Sequence, residues 1–367
     1  MLEMRGITKR FGAIQALDHV DFSIEYGEVH ALIGENGAGK STLMKVLLGY
    51  YQCDEGTVMF KGKEVHFRNP GNALDVGISM THQEVSLIPG MDVTENIWLG
   101  REKRFLKNGL IDVRERYRET QEFLDQLNIK LDIRAKISEL SIAEMQLVEL
   151  CRALSYNPSL IIMDEPTSAL SNNEIEILYN IVKQIARKGV GVIFVSHKLE
   201  EIYAICSKVT VLRDGRLITV QSTETLSQER LIGYVAGRKL EKLFERKTGQ
   251  LGDVFLEVKH LKSEKVNDVS FRVKKGEIYG LSGLMGAGRT EILRALFGID
   301  KATGEILVDG KPVENRTPTD AIRNHFAMVT EDRLRQGAIY SLSILGNTTL
   351  SAFKSICNRL YFFSKKN

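Results

Sequence analysis

Residues Gly34–Thr42 constrain the fold of this chain more than any other segment. They read GENGAGKST, a glycine-rich loop with the spacing at which backbone N–H groups turn inward around phosphate oxygens. The loop follows Val29–Ile33, an apolar and β-branched run that predicts a strand, and it precedes Lys40–Leu48, which predicts a helix. Because the motif stands between a strand and a helix, we expect it to bind a nucleotide through its phosphates.

The remaining apolar pattern predicts an α/β fold. Leu160–Met163 and Gly191–Val195 are continuous apolar runs, typical of parallel strands that are buried on both faces. Glu174–Lys188 between them predicts a helix, and strand, helix and strand in this order indicate a parallel sheet. Further elements are predicted at Val20–Ile24, a strand, and Arg114–Leu127, a helix.

An internal repeat predicts two copies of this fold. Gly27–Gly34, GEVHALIG, recurs as Gly276–Gly283, GEIYGLSG, and in the same register Val20–Ile24 matches Val269–Val273. The repeated loop carries Arg289 where the first loop has lysine.

The repeat also predicts the domain boundaries. We expect the first copy at residues 1–236, a charged linker at 237–251, and the N-terminal part of a second, degenerate copy at 252–367. The second copy is then about half as long as the first, so we expect it to be truncated.

Composition excludes several classes of protein. With 43% hydrophobic and 26% charged residues, the chain is neither a disordered polymer nor a fibre. Fifty basic against 47 acidic residues give a formal charge of +3, without the basic excess that nucleic-acid binding favours. No stretch approaches the ~18 apolar residues that a membrane span needs. The four cysteines are scattered without CxxC spacing, which is typical of reduced thiols in a cytosolic chain.

Acidic and imidazole side chains follow the two buried strands. Asp164 and Glu165 come at the end of the first strand, where one carboxylate can bind Mg²⁺ and the other can polarise an attacking water. In the loop, Lys40 is expected between the β- and γ-phosphates and the Ser41 hydroxyl on Mg²⁺. His197 follows the second strand; a lone histidine is more often structural, but beside the other motifs it is expected to contact the γ-phosphate.

These motifs resemble the nucleotide-binding domain of ABC transporter ATPases. The loop, Gln83, Leu140-Ser141, Asp164-Glu165 and His197 follow the order and spacing of that family. The resemblance implies a P-loop NTPase fold with a parallel-sheet core and antiparallel and helical subdomains, the helical one at Arg114–Ala153. It implies ATP and Mg²⁺ as ligands.

The resemblance also implies site residues. Phe11 would stack on adenine, and Gln83 would reach Mg²⁺ and the attacking water. Glu165, His197 and Gln83 are then catalytic, and Ser41, Gln83 and Asp164 hold the metal. The nucleotide is bound by Phe11, Gly34, Glu35, Asn36, Gly37, Ala38, Gly39, Lys40, Ser41, Thr42 and Ser141.

Several stretches resemble one group within the family, the tandem ATPases of bacterial monosaccharide importers. They are Thr81–Pro89, Val93–Arg101, Pro166–Leu170 and Val209–Gly215. The second loop, with Arg289-Thr290-Glu291, also fits this group, as does Glu331 in place of the second glutamine.

Departures from the family pattern concern catalysis. The signature Leu-Ser-Gly-Gly-Gln is Leu140–Glu144, in which Ala143 adds a Cβ and Glu144 a negative charge near an anionic ligand. Ser171 stands where many members have aspartate. In this family each nucleotide lies between one domain's loop and the other domain's signature. Since no signature follows Arg289, we expect this chain alone to hydrolyse ATP very slowly.

The main hypothesis is an ATPase subunit of a sugar importer. Its expected partners are membrane permease subunits, a sugar-binding protein and a second ABC domain or chain, and its expected place is the cytoplasmic face of the inner membrane. One alternative is a truncated remnant that binds ATP without transport. Another is a soluble ABC ATPase of translation or DNA repair, although neither a basic groove nor a coiled-coil insertion is visible.

Overall fold

The buried runs of the sequence form the centre of the first of two units in the computed structural model. The structure describes residues 1–81, 86–167, 170–237, 251–283, 286–330 and 336–350. The chain divides into a first unit, Met1–Glu245, and a second unit, Arg246–Asn367.

The first unit contains twelve described strands and eight described α-helices. The strands are β1 (Leu2–Phe11), β2 (Ile14–Ile24), β3 (Val29–Ile33), β4 (Glu55–Phe60), β5 (Lys63–Glu64), β6 (Ile78–Thr81), β7 (Leu106–Lys107), β8 (Leu110–Ile111), β9 (Leu160–Asp164), β10 (Gly191–Val195), β11 (Lys208–Arg213) and β12 (Arg216–Ser222). The α-helices are α1 (Lys40–Leu47), α2 (Pro70–Asp75), α3 (Val93–Ile97), α4 (Val113–Gln126), α5 (Ile142–Leu154), α6 (Asn172–Arg187), α7 (Leu199–Ile205) and α8 (Gln228–Ala236). Two 3₁₀ helices lie at Glu102–Phe105 and Ile137–Glu139.

A six-stranded sheet forms the core and confirms the predicted parallel architecture. Its order is β12-β11-β3-β10-β9-β6, and all neighbours pair in parallel except the edge strand β12. Every residue of β3 and β10 is buried, as expected for central strands that are covered on both faces of the sheet. Parallel strands end at one edge, so the residues that follow β3, β9 and β10 are brought close together.

Two further layers surround this sheet. The antiparallel sheet β2-β1-β4-β5 shares a core with α1, in which Leu43 and Met44 of the helix pack with Leu2 and Ile193. Elsewhere on the unit α3, α4 and α5 form its helical part, and their apolar residues join the main core. The helices predicted at 114–127 and 174–188 are α4 and α6, with bounds shifted by one or two residues.

Local sequence explains where two of these helices begin. Ser141 precedes α5 and Ser171 precedes α6, and each serine forms a capping box with the glutamate three residues later, Glu144 or Glu174. A capping box satisfies two backbone N–H groups that the first helical turn leaves without partners. Ser171, which departs from the family pattern, therefore has a structural role at this helix end.

The second unit repeats the antiparallel sheet of the first. Its described strands are β13 (Val254–Ser263), β14 (Val269–Lys274), β15 (Ala302–Val308) and β16 (Lys311–Val313), and its described helices are α9 (Arg289–Leu296), α10 (Pro318–Arg323) and α11 (Ile344–Thr349). The order β14-β13-β15-β16 corresponds to β2-β1-β4-β5.

The repeat of β3, residues 277–283, does not form a strand in the second unit, and Ile278 is 90% exposed. In the first unit β10 and β11 flank β3; no strand in the described part of the second unit pairs with 277–283. A strand needs partners for its backbone groups, so sequence similarity alone does not form one here.

The expected domain boundaries stay a prediction. Residue 236 is the last residue of α8, but residues 238–250 of the expected linker lie outside the described part of the chain. Within the described residues, no helix combines the length and the apolar character that crossing a bilayer requires.

Candidate functional site

The glycine-rich loop lies where β3 passes into α1, as the sequence predicts. Gly39 is the residue before α1 and has φ of 101°, a left-handed conformation that favours glycine. A Cβ at Gly34 would lie 2.2 Å from the carbonyl oxygen of Leu212, so β11 packs directly against the backbone at the start of the loop. No side chain among the described residues caps the N-terminus of α1, and its first N–H groups can therefore bind an anionic ligand.

The Lys40 ammonium lies across this loop. Its Nζ donates to the carbonyl oxygens of Gly34, at 2.7 Å, and Glu35, at 3.0 Å. Burial lowers the pKa of Lys40, and the negative charges of Glu165 and Asp164 partly oppose that shift. The electrostatic interaction places both carboxylates near the ammonium, although more than 120 residues separate them in sequence.

Asp164 is the last residue of β9 and Glu165 follows it, beside the end of β10. Asp164 is opposite Val195 in the parallel pair, and the Glu165 N–H donates to the Val195 carbonyl oxygen at 2.9 Å. Glu165 has φ of 47°, a conformation that costs a non-glycine residue about 1–3 kcal/mol and is frequent at functional sites. This conformation turns the chain sharply after the strand and presents the carboxylate at the sheet edge.

His197 meets Glu165 at that edge. Its Nδ1 lies 3.1 Å from Glu165 Oε1, and the imidazole is 61% exposed while the carboxylate is 23% exposed. The histidine is therefore not a buried core residue. The structure brings together Lys40, Asp164, Glu165 and His197, which three separate motifs supply.

Phe11 lies at the end of β1 with 41% of its surface exposed. The rings of Phe11 and Tyr51 meet edge to face, and their centroids lie 5.0 Å apart. The Lys9 ammonium lies 5.7 Å from the centroid of the Phe11 ring. Tyr51 is not among the residues expected from the sequence. The sequence signal that could have identified Tyr51 is its position shortly after α1, because α1 is the helix that starts at the glycine-rich loop.

The other expected residues vary in their exposure. Glu35, Asn36, Gly37 and Ser41 are exposed, Thr42 is half-buried and Ala38 is buried. Gln83 and Glu331 lie outside the described residues.

Ser141 forms a separate local group with Glu144. The Ser141 hydroxyl and N–H both donate to Glu144 Oε2, each at 2.8 Å. The Glu144 carboxylate therefore accepts the hydroxyl that the family resemblance assigns to a phosphate.

The donor set at the loop fits a magnesium ion bound with a nucleotide. Among the described residues, no group of three or more histidine, cysteine or acidic side chains could hold a metal. Mg²⁺ does not require such a cage, because it takes one or two protein oxygens together with water and phosphate oxygens. The Ser41 hydroxyl and the Asp164 carboxylate are oxygen ligands of this kind.

The second loop keeps the glycine conformation of the first. Gly286 and Gly288 have φ of 78° and 86°, and α9 begins at Arg289. The segment that corresponds to Phe11, residues 262–266, contains no aromatic residue. Nearby, Arg294 and Asp300 form two hydrogen bonds of 2.8 Å with each other.

Comparisons with known proteins identify what this chain is similar to. A family model described as ABC transporter matches residues 17–168 and 266–361. A putative ribose/galactose/methyl galactoside import ATP-binding protein of Halalkalibacterium halodurans is 46% identical over 95% of this chain and 67% of its own length. The galactose/methyl galactoside import ATP-binding protein MglA of Salmonella typhimurium is 43% identical over 98% of this chain and 72% of its own. The crystal structure of a nucleotide-free ATP-binding cassette from an ABC transporter has a TM-score of 0.55 at 28% identity, covering 65% of this chain and 95% of that cassette.

Proposed function

The chain belongs to the ABC transporter family, and from this premise we propose that it is the ATP-hydrolysing subunit of a bacterial monosaccharide importer. Two relatives at 43–46% identity are named as import ATP-binding proteins, one for galactose and methyl galactoside and the other for ribose as well. We expect the sugar of this chain to come from the same class.

One observation carries the ATPase assignment: the Glu165–His197 pair lies at the sheet edge beside Lys40. A γ-phosphate bound by the loop would lie among these three side chains. A carboxylate that faces this position accepts a hydrogen bond from the attacking water and so directs it at phosphorus. His197 contacts the terminal phosphate, and the Lys40 ammonium balances the charge that moves towards the leaving oxygen.

Binding of the nucleotide uses the rest of the loop. The N–H groups before α1 surround the phosphates, and Lys40 exchanges its two carbonyl partners for phosphate oxygens. Ser41 and Asp164 would hold Mg²⁺, whose charge shields the phosphates. Phe11, whose side chain is partly exposed, would stack on adenine. Gln83 completes the catalytic set in this proposal, and Ser141 serves a nucleotide bound by another cassette.

We further propose that the ATPase acts on the membrane through partners. Permease subunits would carry the sugar path, a sugar-binding protein would deliver the substrate, and this chain would lie at the cytoplasmic face of the inner membrane. In this arrangement residues 1–236 form the catalytic domain and residues 252–367 belong to a degenerate domain. The second domain is degenerate because the planar guanidinium of Arg289 does not replace the compact ammonium of a lysine.

Uptake of labelled sugar tests the proposal. The chain is expressed in a bacterium that lacks its own galactose and methyl galactoside import ATP-binding subunit, and galactose and ribose uptake are measured. Two copies of the chain that pair through their first cassettes would complete the ATP site, so we expect uptake with the wild-type chain and none with Glu165→Gln, which keeps the side-chain volume. Binding of MgATP by the purified chain is the independent control for a folded site. Uptake that is the same with both chains would contradict the proposed role.

A further inference from the structure

A buried carboxylate on α7 has no place in the chemistry described so far. Glu201 is 3% exposed and is buried in the short helix α7 together with Ile202 and Ile205. Burial of an ionised carboxylate is costly unless hydrogen bonds and a positive charge compensate for it. The hydrogen-bond and charge partners of Glu201 therefore indicate which role the buried carboxylate has.

The partners of Glu201 come from two different segments. Ser196 Oγ donates to Oε2 at 2.6 Å, and Thr167 Oγ1 donates to Oε1. Both hydroxyl residues are 2% exposed. The Lys198 ammonium lies 3.3 Å from Oε1, which supplies the compensating charge.

The same two segments contain Glu165 and His197, the pair on which the proposed reaction depends. Thr167 is two residues after Glu165, and Ser196 is one residue before His197. The Glu201 carboxylate thus connects the segment that follows β9 to the segment that follows β10. Additional bonds connect the same groups, since the Lys198 N–H donates to Ser196 Oγ at 3.0 Å and Lys198 Nζ to Thr167 Oγ1 at 3.4 Å.

We propose that Glu201 is a positioning residue that holds His197 and Glu165 in register with the terminal phosphate. The proposal deepens the proposed function and rests on it. Glu201 does not touch the nucleotide; it fixes the two backbone segments from which the reacting side chains extend. An interaction that depends on the third phosphate therefore depends on Glu201, whereas binding of the first two phosphates by the loop does not.

Nucleotide titration separates positioning from simple stabilisation. The purified chain is titrated with Mg²⁺ and either ADP or a non-hydrolysable ATP analogue. In Glu201→Gln we expect the affinity for the ATP analogue to fall about tenfold or more, as for a lost charge-assisted contact, while ADP affinity stays within about twofold. Thr167→Val should show the same split, and Thr167→Ser, which keeps the hydroxyl, should restore the wild-type affinities.

A matched control tests whether any lost buried carboxylate has this effect. Glu28 lies elsewhere in the first unit, where its carboxylate is 2.9 Å from His30 Nδ1 and 3.1 Å from Lys208 Nζ. Glu28→Gln should lower the melting temperature without changing the ratio of the two affinities. If Glu201→Gln lowers both affinities equally, Glu201 has only a structural role and the proposal is overturned.

The imidazole of His197 gives a second readout. The chain has seven histidines, so long-range ¹H–¹⁵N spectra of the rings can be assigned with a His197→Gln variant. We expect the His197 ring signals to shift in Glu201→Gln and in Thr167→Val but not in Thr167→Ser. Unchanged signals in both disruptive variants would overturn the proposal.

The failure of this inference and that of the proposed function are distinguishable. If Lys40→Ala leaves nucleotide binding intact, the loop is not the binding site and the proposed function fails. If nucleotide binding depends on Lys40 but the ratio of ATP-analogue affinity to ADP affinity does not change in Glu201→Gln, only the positioning role fails. If Glu201→Gln does not fold, the Thr167→Val and Thr167→Ser pair decides.

Discussion

Replacing Lys40 by alanine removes the cation of the phosphate loop and leaves the fold around it in place. In the structure the Lys40 ammonium is half-buried and donates to two neutral carbonyl oxygens, those of Gly34 and Glu35. Nucleotide binding exchanges these two bonds for bonds to charged phosphate oxygens. The variant therefore tests the loop without disturbing the core that β3 and α1 form.

The size of the effect follows from that exchange. A hydrogen bond to a charged group contributes about 1.5–3 kcal/mol, against about 0.5–1.5 kcal/mol for a neutral one. Each exchanged bond therefore gains about 1–1.5 kcal/mol, and the two together about 2–3 kcal/mol, which corresponds to a loss of roughly 30- to 150-fold in affinity. The Asp164 and Glu165 carboxylates near Lys40 add to the loss, because without the ammonium they repel the phosphates.

Isothermal titration calorimetry with MgATP measures this loss. Arg289→Ala is the matched control, since Arg289 has the same place in the repeated loop as Lys40 in the first. We expect Lys40→Ala to lose most of the affinity and Arg289→Ala to bind within about twofold of the wild type. Melting temperatures show that both variants are folded. The opposite pattern, in which Arg289→Ala loses binding and Lys40→Ala keeps it, would refute the assignment of the working site.

Three further outcomes are expected. Glu165→Gln keeps MgATP affinity and lowers hydrolysis about 10²–10⁴-fold, the contribution of a positioned general base; equal turnover in single-turnover assays contradicts that role. Gly34→Ala lowers stability by about 1–3 kcal/mol because its Cβ meets the Leu212 carbonyl oxygen, whereas Gly90→Ala, with open space around it, changes the melting temperature little; similar losses in both would exclude the clash. Glu28 contributes pH-dependent stability: burial alone would raise its pKa, but hydrogen bonds from His30, the Glu25 N–H and Lys208, together with the charge of His30, lower it from 4.5 to about 2. Its contribution is therefore complete above pH 4.5 and lost as the pH falls through about 2, and urea unfolding of Glu28→Gln should show a weaker dependence over that range than the wild type.

The sequence predicts the elements that local pattern specifies. The strands at 29–33 and 191–195, the helix at 174–188 and the loop between β3 and α1 are all found with nearly the expected bounds. Apolar runs and capping residues are properties of neighbouring positions, so the sequence contains them directly. The family resemblance adds the roles of Gln83 and Ser141, which stay predictions.

What the tertiary structure decides is which distant residues meet. Glu165 and His197 are 3.1 Å apart because β9 and β10 are adjacent parallel strands that end at one edge. Glu201 is buried with hydrogen bonds from Ser196 and Thr167, and the contact with Thr167 joins two positions 34 residues apart in sequence.

The repeated segment at Gly27–Gly34 and Gly276–Gly283 also shows that similar local sequence does not always form the same element. The first copy forms β3 between β10 and β11, while 277–283 forms no strand in the described second unit. Sequence determines local conformation and the chemistry of each side chain. Backbone pairing, burial and contact depend on neighbours from elsewhere in the chain, because hydrogen-bond partners in a parallel sheet are non-local.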